Sequence, residues 1–90
     1  MLIAKNATEK RVGSLVKVNL RKIRECRKAK GLSQGEVAKL LGFNTVYPYH
    51  RKESGQQPFT AEELMELAQL YNVPYEHFFI WDYAKKRDNM

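Results

Sequence analysis

Gly31-Leu32-Ser33-Gln34-Gly35-Glu36-Val37-Ala38-Lys39-Leu40-Leu41-Gly42-Phe43-Asn44-Thr45 is the stretch that decides the fold. Ser33 followed three positions later by Glu36 is a capping box. The serine hydroxyl accepts from the Glu36 amide, and the Glu36 carboxylate accepts from the Ser33 amide. Leu32 before the cap and Val37 at the fourth helical position form the accompanying hydrophobic staple. Gly31 ends whatever helix precedes, and Gly42 ends this one after about two turns, because glycine takes the left-handed conformation without strain. Ala38, small and in mid-helix, lets another helix backbone come close. Thr45 is then read as the N-cap of a third helix over about 46–54, which Ser54-Gly55 terminates. Pro48 fits only within a first turn, where its missing N–H needs no partner, so that helix starts near Thr45. Two helices this short cannot bury enough apolar surface by themselves; they need a scaffold.

The flanking sequence supplies one. Upstream, Leu15, Val16, Leu20, Ile23 and Cys26 recur at three- and four-residue steps, predicting a helix from Leu15 to the Gly31 stop. Downstream, Gln56-Gln57-Pro58-Phe59 reads as a loop. Thr60-Ala61-Glu62-Glu63 is a second capping box, opening a helix to about Tyr71 with Leu64, Leu67, Ala68 and Tyr71 on its apolar stripe and Met65 beside it. Asn72 is the left-handed stop, and Pro74 starts a short helical turn over Tyr75 to Phe79. The expectation is an all-α domain of five helices over residues 15–80. A flexible N-terminal arm over 1–14 precedes it, and a C-terminal tail over 81–90 follows. Phe78-Phe79-Ile80-Trp81 exceeds what so small a domain needs to cover itself, and reads as a dimer surface or as a segment folded back over the core.

Ninety residues make one domain, and 43% hydrophobic content can fill one core. No apolar run of about 18 residues is present, so no membrane span is expected. The start, Met1-Leu2-Ile3-Ala4-Lys5, does not read as a secretory signal. A single cysteine, Cys26, excludes an internal disulfide and a zinc site on paired cysteines, and a reducing cytoplasm fits best. On its apolar stripe Cys26 reads as a core filler more readily than as a redox switch. His50 and His77 lack further ligands at metal spacing. There is no nucleophile–base arrangement and no phosphate-cradling glycine loop, and Glu62-Glu63 is a helix start rather than a catalytic dyad, so neither an enzyme nor a cofactor is expected. Net charge is +6. Residues 1–55 hold thirteen Lys and Arg against four Glu, whereas residues 56–90 hold three against six acidic residues. Such asymmetry suits a molecule that lays one face on a polyanion; an ordinary solvated charge surface is the plainer alternative.

The run from Gly31 to Gly42, followed by Glu53-Ser54-Gly55 and by Ala61-Glu62-Glu63-Leu64-Met65-Glu66-Leu67-Ala68, resembles the lambda-repressor-like (Xre-type) helix-turn-helix family over about residues 18–79. That resemblance implies a five-helix domain that binds double-stranded operator DNA, usually as a homodimer, and regulates transcription. A helix about 10–12 Å across fits a major groove about 12 Å wide. By position, Gln34 is implied to hold DNA backbone near the groove. Asn44, Thr45, Val46, Tyr47, His50, Arg51 and Lys52 fall on or beside the recognition helix, whose N-terminal end meets base edges. Arg51 can pair with guanine or phosphate, and His50 is either solvated or in contact with DNA. Gln56, Gln57 and Thr60 lie where the family touches the second flank of backbone. Arg27 and Glu53 map onto a structural ion pair. Tyr49 takes a core position, and so does Lys52, where a lysine lays its stem inside and puts its head in solvent or on phosphate. Lys5, Lys10 and Arg11 of the arm add backbone or minor-groove contacts. Repression by promoter occupancy is the simplest output. A protein-interaction module on the same fold, or an antitoxin-type protein that also binds a partner, remains the alternative, favoured by the weakly polar recognition helix.

Overall fold

In the computed structural model, residues 16–81 are described. They divide into two units, a short strand pair and a helical body over Asn19–Phe78. The strand pair is antiparallel: β1 (Val16–Val18) and β2 (Phe79–Trp81) meet in the register Val16 to Trp81, Lys17 to Ile80 and Val18 to Phe79. The helical body holds α1 (Leu20–Ala29), α2 (Gln34–Leu40), α3 (Tyr47–Glu53), α4 (Ala61–Tyr71) and a 3₁₀ turn over Tyr75–Phe78.

Three sequence expectations need correction. The first helix begins at Leu20, not Leu15, because the Asn19 side chain caps it by accepting from the Lys22 amide at 3.1 Å. The apolar positions upstream belong instead to a strand with Val16 and Val18 half-buried and Lys17 exposed between them, a period of two. Leu15 itself lies outside the described residues, as do the arm with Lys5, Lys10 and Arg11 and the tail beyond Trp81. The expected fifth helix is only one 3₁₀ turn, after which Phe79 enters β2, so the fold is mostly helical rather than all-α with five helices. Finally, α3 has Val46 as its N-cap with no side-chain cap bond, and Thr45 lies outside it. Pro48 sits in the first turn of α3, where no helix bond requires its N–H.

All four helices stop by one mechanism. A residue with positive φ ends each: Gly31, Gly42 and Gly55 follow the C-caps of α1, α2 and α3, and Asn72 is itself the C-cap of α4. The amide of the following residue returns to a carbonyl five positions back, Leu32 to Arg27, Phe43 to Ala38, Gln56 to Arg51 and Val73 to Ala68, at 2.8–3.1 Å. For α1, α2 and α4, side-chain caps fix the start as well: Asn19 caps α1, and α2 and α4 begin in complete capping boxes.

Ile23, Val37, Tyr49, Leu67 and Phe78 are wholly buried and form the centre of the helical body, with Ala38, Phe59, Leu64, Ala68 and Tyr71 around them. Tyr71 meets Phe78 edge-on at 6.4 Å between ring centroids, and Tyr49 meets Phe59 likewise at 5.9 Å. Phe78 is therefore core, whereas Ile80 and Trp81 are 46% and 57% exposed.

Candidate nucleic-acid interface

Helix α3 is held to its scaffold by polar groups as much as by apolar ones. Its buried residues are Tyr49, Lys52 and Glu53, and each meets a matching partner. Glu53 is 1% exposed, and four donors converge on its carboxylate. Arg27 of α1 donates Nε to Oε2 at 2.8 Å and Nη2 to Oε1 at 3.0 Å, a bidentate pair. The Tyr49 hydroxyl donates to Oε2 at 2.6 Å, and Gln34 Nε2 donates to Oε1 at 2.8 Å. Burial alone would raise the Glu53 carboxyl; the bonds from Arg27, Tyr49 and Gln34 outweigh it and hold the group below the usual carboxylate range. Burial, and next the bond to Glu53, push the Tyr49 hydroxyl upward, so it stays a donor. Arg27 also donates Nη1 to the Leu32 carbonyl at 3.0 Å, and Arg24 reaches the Glu53 carbonyl at 3.3 Å.

On the other side of α3, Lys52 is 6% exposed and donates to both carboxylate oxygens of Glu63 at 2.7 and 2.6 Å, with its ammonium 5.2 Å from the centre of the Phe43 ring. The expectation that its head stands in solvent or on phosphate is corrected: the charge is spent inside the fold. Burial would raise the Glu63 carboxyl, but Lys52 and the Thr60 amide lower it on balance. Glu63 thus closes a helix cap and anchors α3 at once. Sequence reasoning missed this pair. The available signal was a lysine at an otherwise core position with a capping-box glutamate downstream.

With Tyr49, Lys52 and Glu53 inward, α3 turns its remaining side chains outward. Tyr47 is 59% and Val46 44% exposed, and His50 is exposed. Arg51 is half-buried, its guanidinium carbon 5.5 Å from the centre of the Tyr47 ring, an arrangement that steers the cation along the helix surface. Asn44 and Thr45 are exposed in the turn before α3, and Gln56 and Gln57 in the loop after it. The amides of Gln56 and Gln57 are tied to the Arg51 carbonyl at 2.8 and 3.2 Å. Thr60 is exposed at the start of α4, with its amide and hydroxyl oxygen in the cap. Gln34, the first residue of α2, is half-buried, and its Oε1 lies 3.2 Å from His50 Nδ1. So α2 and α3 meet through Gln34, Glu53 and His50; sequence reasoning had placed Gln34 and His50 at the DNA face and Glu53 in a pair with Arg27, without linking the three.

A family profile described as a helix-turn-helix domain matches residues 21–77, from α1 through the 3₁₀ turn. The chain belongs to the helix-turn-helix domain family. Within the matched span, α2 and α3 follow one another across the turn at Gly42, between α1 and α4 in sequence. A protein of Sulfurisphaera tokodaii that carries the provisional name of HTH-type transcriptional regulatory protein is 41% identical over 59 residues, covering 63% of this chain and 20% of that protein. The chain thus spans about a fifth of the length of this curated relative. No solved structure matches. Among the described residues, no helix is long and apolar enough to cross a membrane, and no group of three or more His, Cys, Asp or Glu is placed to hold a metal ion.

Proposed function

We propose that this helix-turn-helix domain binds double-stranded DNA with sequence preference, laying α3 in the major groove, and that it regulates transcription as a homodimer on two half-sites about 34 Å apart. The observation that carries the reading is the division of α3. Buried Glu53 and Lys52 fasten it to α1 and α4, while Val46, Tyr47 and His50 are exposed and Arg51 half-buried on its other side. On this reading Asn44, Thr45, Val46, Tyr47, His50 and Arg51 meet bases and nearby phosphates, Gln34 holds backbone beside the groove, and Gln56, Gln57 and Thr60 hold the second flank. Lys52 serves the fold rather than the duplex. Repression by promoter occupancy is the output this reading favours, and nothing in it calls for catalysis.

Salt dependence tests the reading. A protein that neutralises Z phosphates loses affinity with a slope of about −0.9Z in log K against log salt. Titration of labelled random duplex at two salt concentrations should show such a slope, and selection from a random pool should return a two-fold-symmetric site. No binding at low salt would remove the proposal. It would favour the second reading, a protein-interaction or antitoxin-type module, for which the exposed Leu40 and Met65 speak, together with a groove of about 370 Å³ lined by Leu40, Leu41, Glu66, Gln69 and Leu70.

A further inference from the structure

The contact between Gln34 and His50 determines more than position. Glu53 carries two acceptor oxygens, each already taking two donors: Oε1 from Arg27 Nη2 and Gln34 Nε2, Oε2 from Arg27 Nε and the Tyr49 hydroxyl. A carboxylate paired with arginine has only acceptor positions, so the Gln34 amide must face it with its NH2 group. The orientation of that amide follows from the network rather than from a choice between two similar atoms. Gln34 Oε1, which can only accept, is left 3.2 Å from His50 Nδ1. Nδ1 therefore carries the hydrogen. In a neutral imidazole the other nitrogen, Nε2, is then an acceptor, and His50 presents it from an exposed position on α3.

We propose that Glu53, acting through Gln34, fixes His50 in its Nδ1–H tautomer, so that the outward Nε2 accepts from a base bearing an amino group in the major groove, adenine at N6 or cytosine at N4. Guanine and thymine offer only acceptors from their ring nitrogen and oxygens there, so an accepting nitrogen set against them meets a like partner. Gln34 is a positioning residue in this scheme and His50 the residue that discriminates. The base choice rests on the DNA-binding reading above; the tautomer does not.

Two measurements separate the two. Long-range proton–nitrogen NMR on the 15N-labelled chain at about pH 8, above the range in which ordinary imidazoles titrate, reports which ring nitrogen of His50 is protonated. The Nδ1–H form is expected in the native chain, and the Nε2–H form, alone or in mixture, in Gln34→Met, which keeps the side-chain length and removes the acceptor. Site selection with the native chain should enrich adenine or cytosine at one position of each half-site. That preference should fall roughly two- to tenfold in His50→Phe and by a similar factor in Gln34→Met, the worth of one net hydrogen bond. Both variants are first checked for native helicity and melting. An Nε2–H form in the native chain overturns the proposal, and so does a preference that survives Gln34→Met unchanged. Failure of the native chain to bind any duplex at low salt, with the Nδ1–H form observed, overturns the DNA-binding reading and the base choice with it, and leaves the Glu53–Gln34–His50 relay standing.

Discussion

Replacing Glu53 with alanine removes one acceptor group and strands four donors. Two belong to Arg27, whose side chain is 10% exposed, one to Tyr49, which is wholly buried, and one to Gln34. Arg27 keeps its bond to the Leu32 carbonyl and some access to water, so the full desolvation of a charge is not incurred. The Tyr49 hydroxyl is wholly buried and keeps only the Tyr71 hydroxyl beside it. Breaking a buried ion pair by removing one partner costs about 3–5 kcal/mol. In a domain of this size each kcal/mol lowers Tm by about 4–8 °C, so a fall of at least about 12 °C is expected. Thermal and urea unfolding followed by circular dichroism provide the assay, with an unchanged urea slope confirming that stability, rather than denatured-state compactness, has moved. A second variant isolates the cause. If the loss comes from a stranded charge, Arg27→Met combined with Glu53→Met recovers part of the stability that Glu53→Met alone removes, a coupling of about 1 kcal/mol or more. A Tm within about 2 °C of native in Glu53→Ala, or strict additivity in the double variant, would refute the account of α3 as anchored through this carboxylate.

Other perturbations reach the remaining anchors. Lys52→Met fits the same space beside Phe43 but leaves Glu63 without its ammonium; Glu63 keeps the Thr60 cap and is partly solvated, so a smaller loss of about 1–2 kcal/mol is expected by urea unfolding, below that of Glu53→Ala. Both Glu53 and Glu63 titrate below the ordinary value of 4.5, so the folded state binds their protons less readily than the unfolded chain; their contribution is complete above that value and is lost as pH falls through their lowered folded values. Melting curves from neutral to acid pH should show a native decline on the acid side that is shallower in Lys52→Met. Gly55→Ala places a Cβ 3.2 Å from Leu20 Cδ1 at φ +87°, and is expected to cost about 1–2 kcal/mol. Gly35→Ala, in helical backbone with nothing nearer than 3.8 Å, is expected to gain roughly 0.5 kcal/mol and serves as its control in the same melts.

What the sequence made legible follows the range of the chemistry involved. Capping boxes at Ser33 and Thr60 act across three residues, and the stops at Gly31, Gly42 and Asn72 act across six, so α2 and the ends of α1 and α4 could be read directly. The start of α1 could not. Leu15, Val16 and Leu20 satisfy a helical period as well as Val16 and Val18 satisfy alternation, and the choice is made by a partner strand over sixty residues downstream. The same pairing takes Phe79, the expected last residue of the fifth helix, into β2 and leaves a single 3₁₀ turn before it. The N-cap at Thr45 missed by one residue: Val46 takes that place with no side-chain cap bond, and Pro48 follows in the first turn. For the candidate interface, the family resemblance gave the list of residues, but not their bonds. Lys52 was given a core position with its head in solvent or on phosphate, and only its distance to Glu63 places that charge inside the fold.

The suspension of α3 by charges has a consequence for how its surface can vary. An apolar anchor tolerates shifts in depth and rotation, since burial depends on area and little on direction. A bidentate guanidinium–carboxylate pair on one side and an ammonium between two carboxylate oxygens on the other do not: their strength falls when the donors leave line. Glu53 and Lys52 are adjacent in sequence yet bond to different helices, α1 and α4, so together they fix the rotation of α3 about its own axis. Gln34 Nε2 of α2, bonded to the same carboxylate as Arg27, adds a third point. Tyr47, His50 and Arg51 can then change identity without moving the helix that presents them. Gln34 is the exception, because its amide bonds to Glu53 and to His50 at once, and a substitution there reaches both the anchor and the outward face.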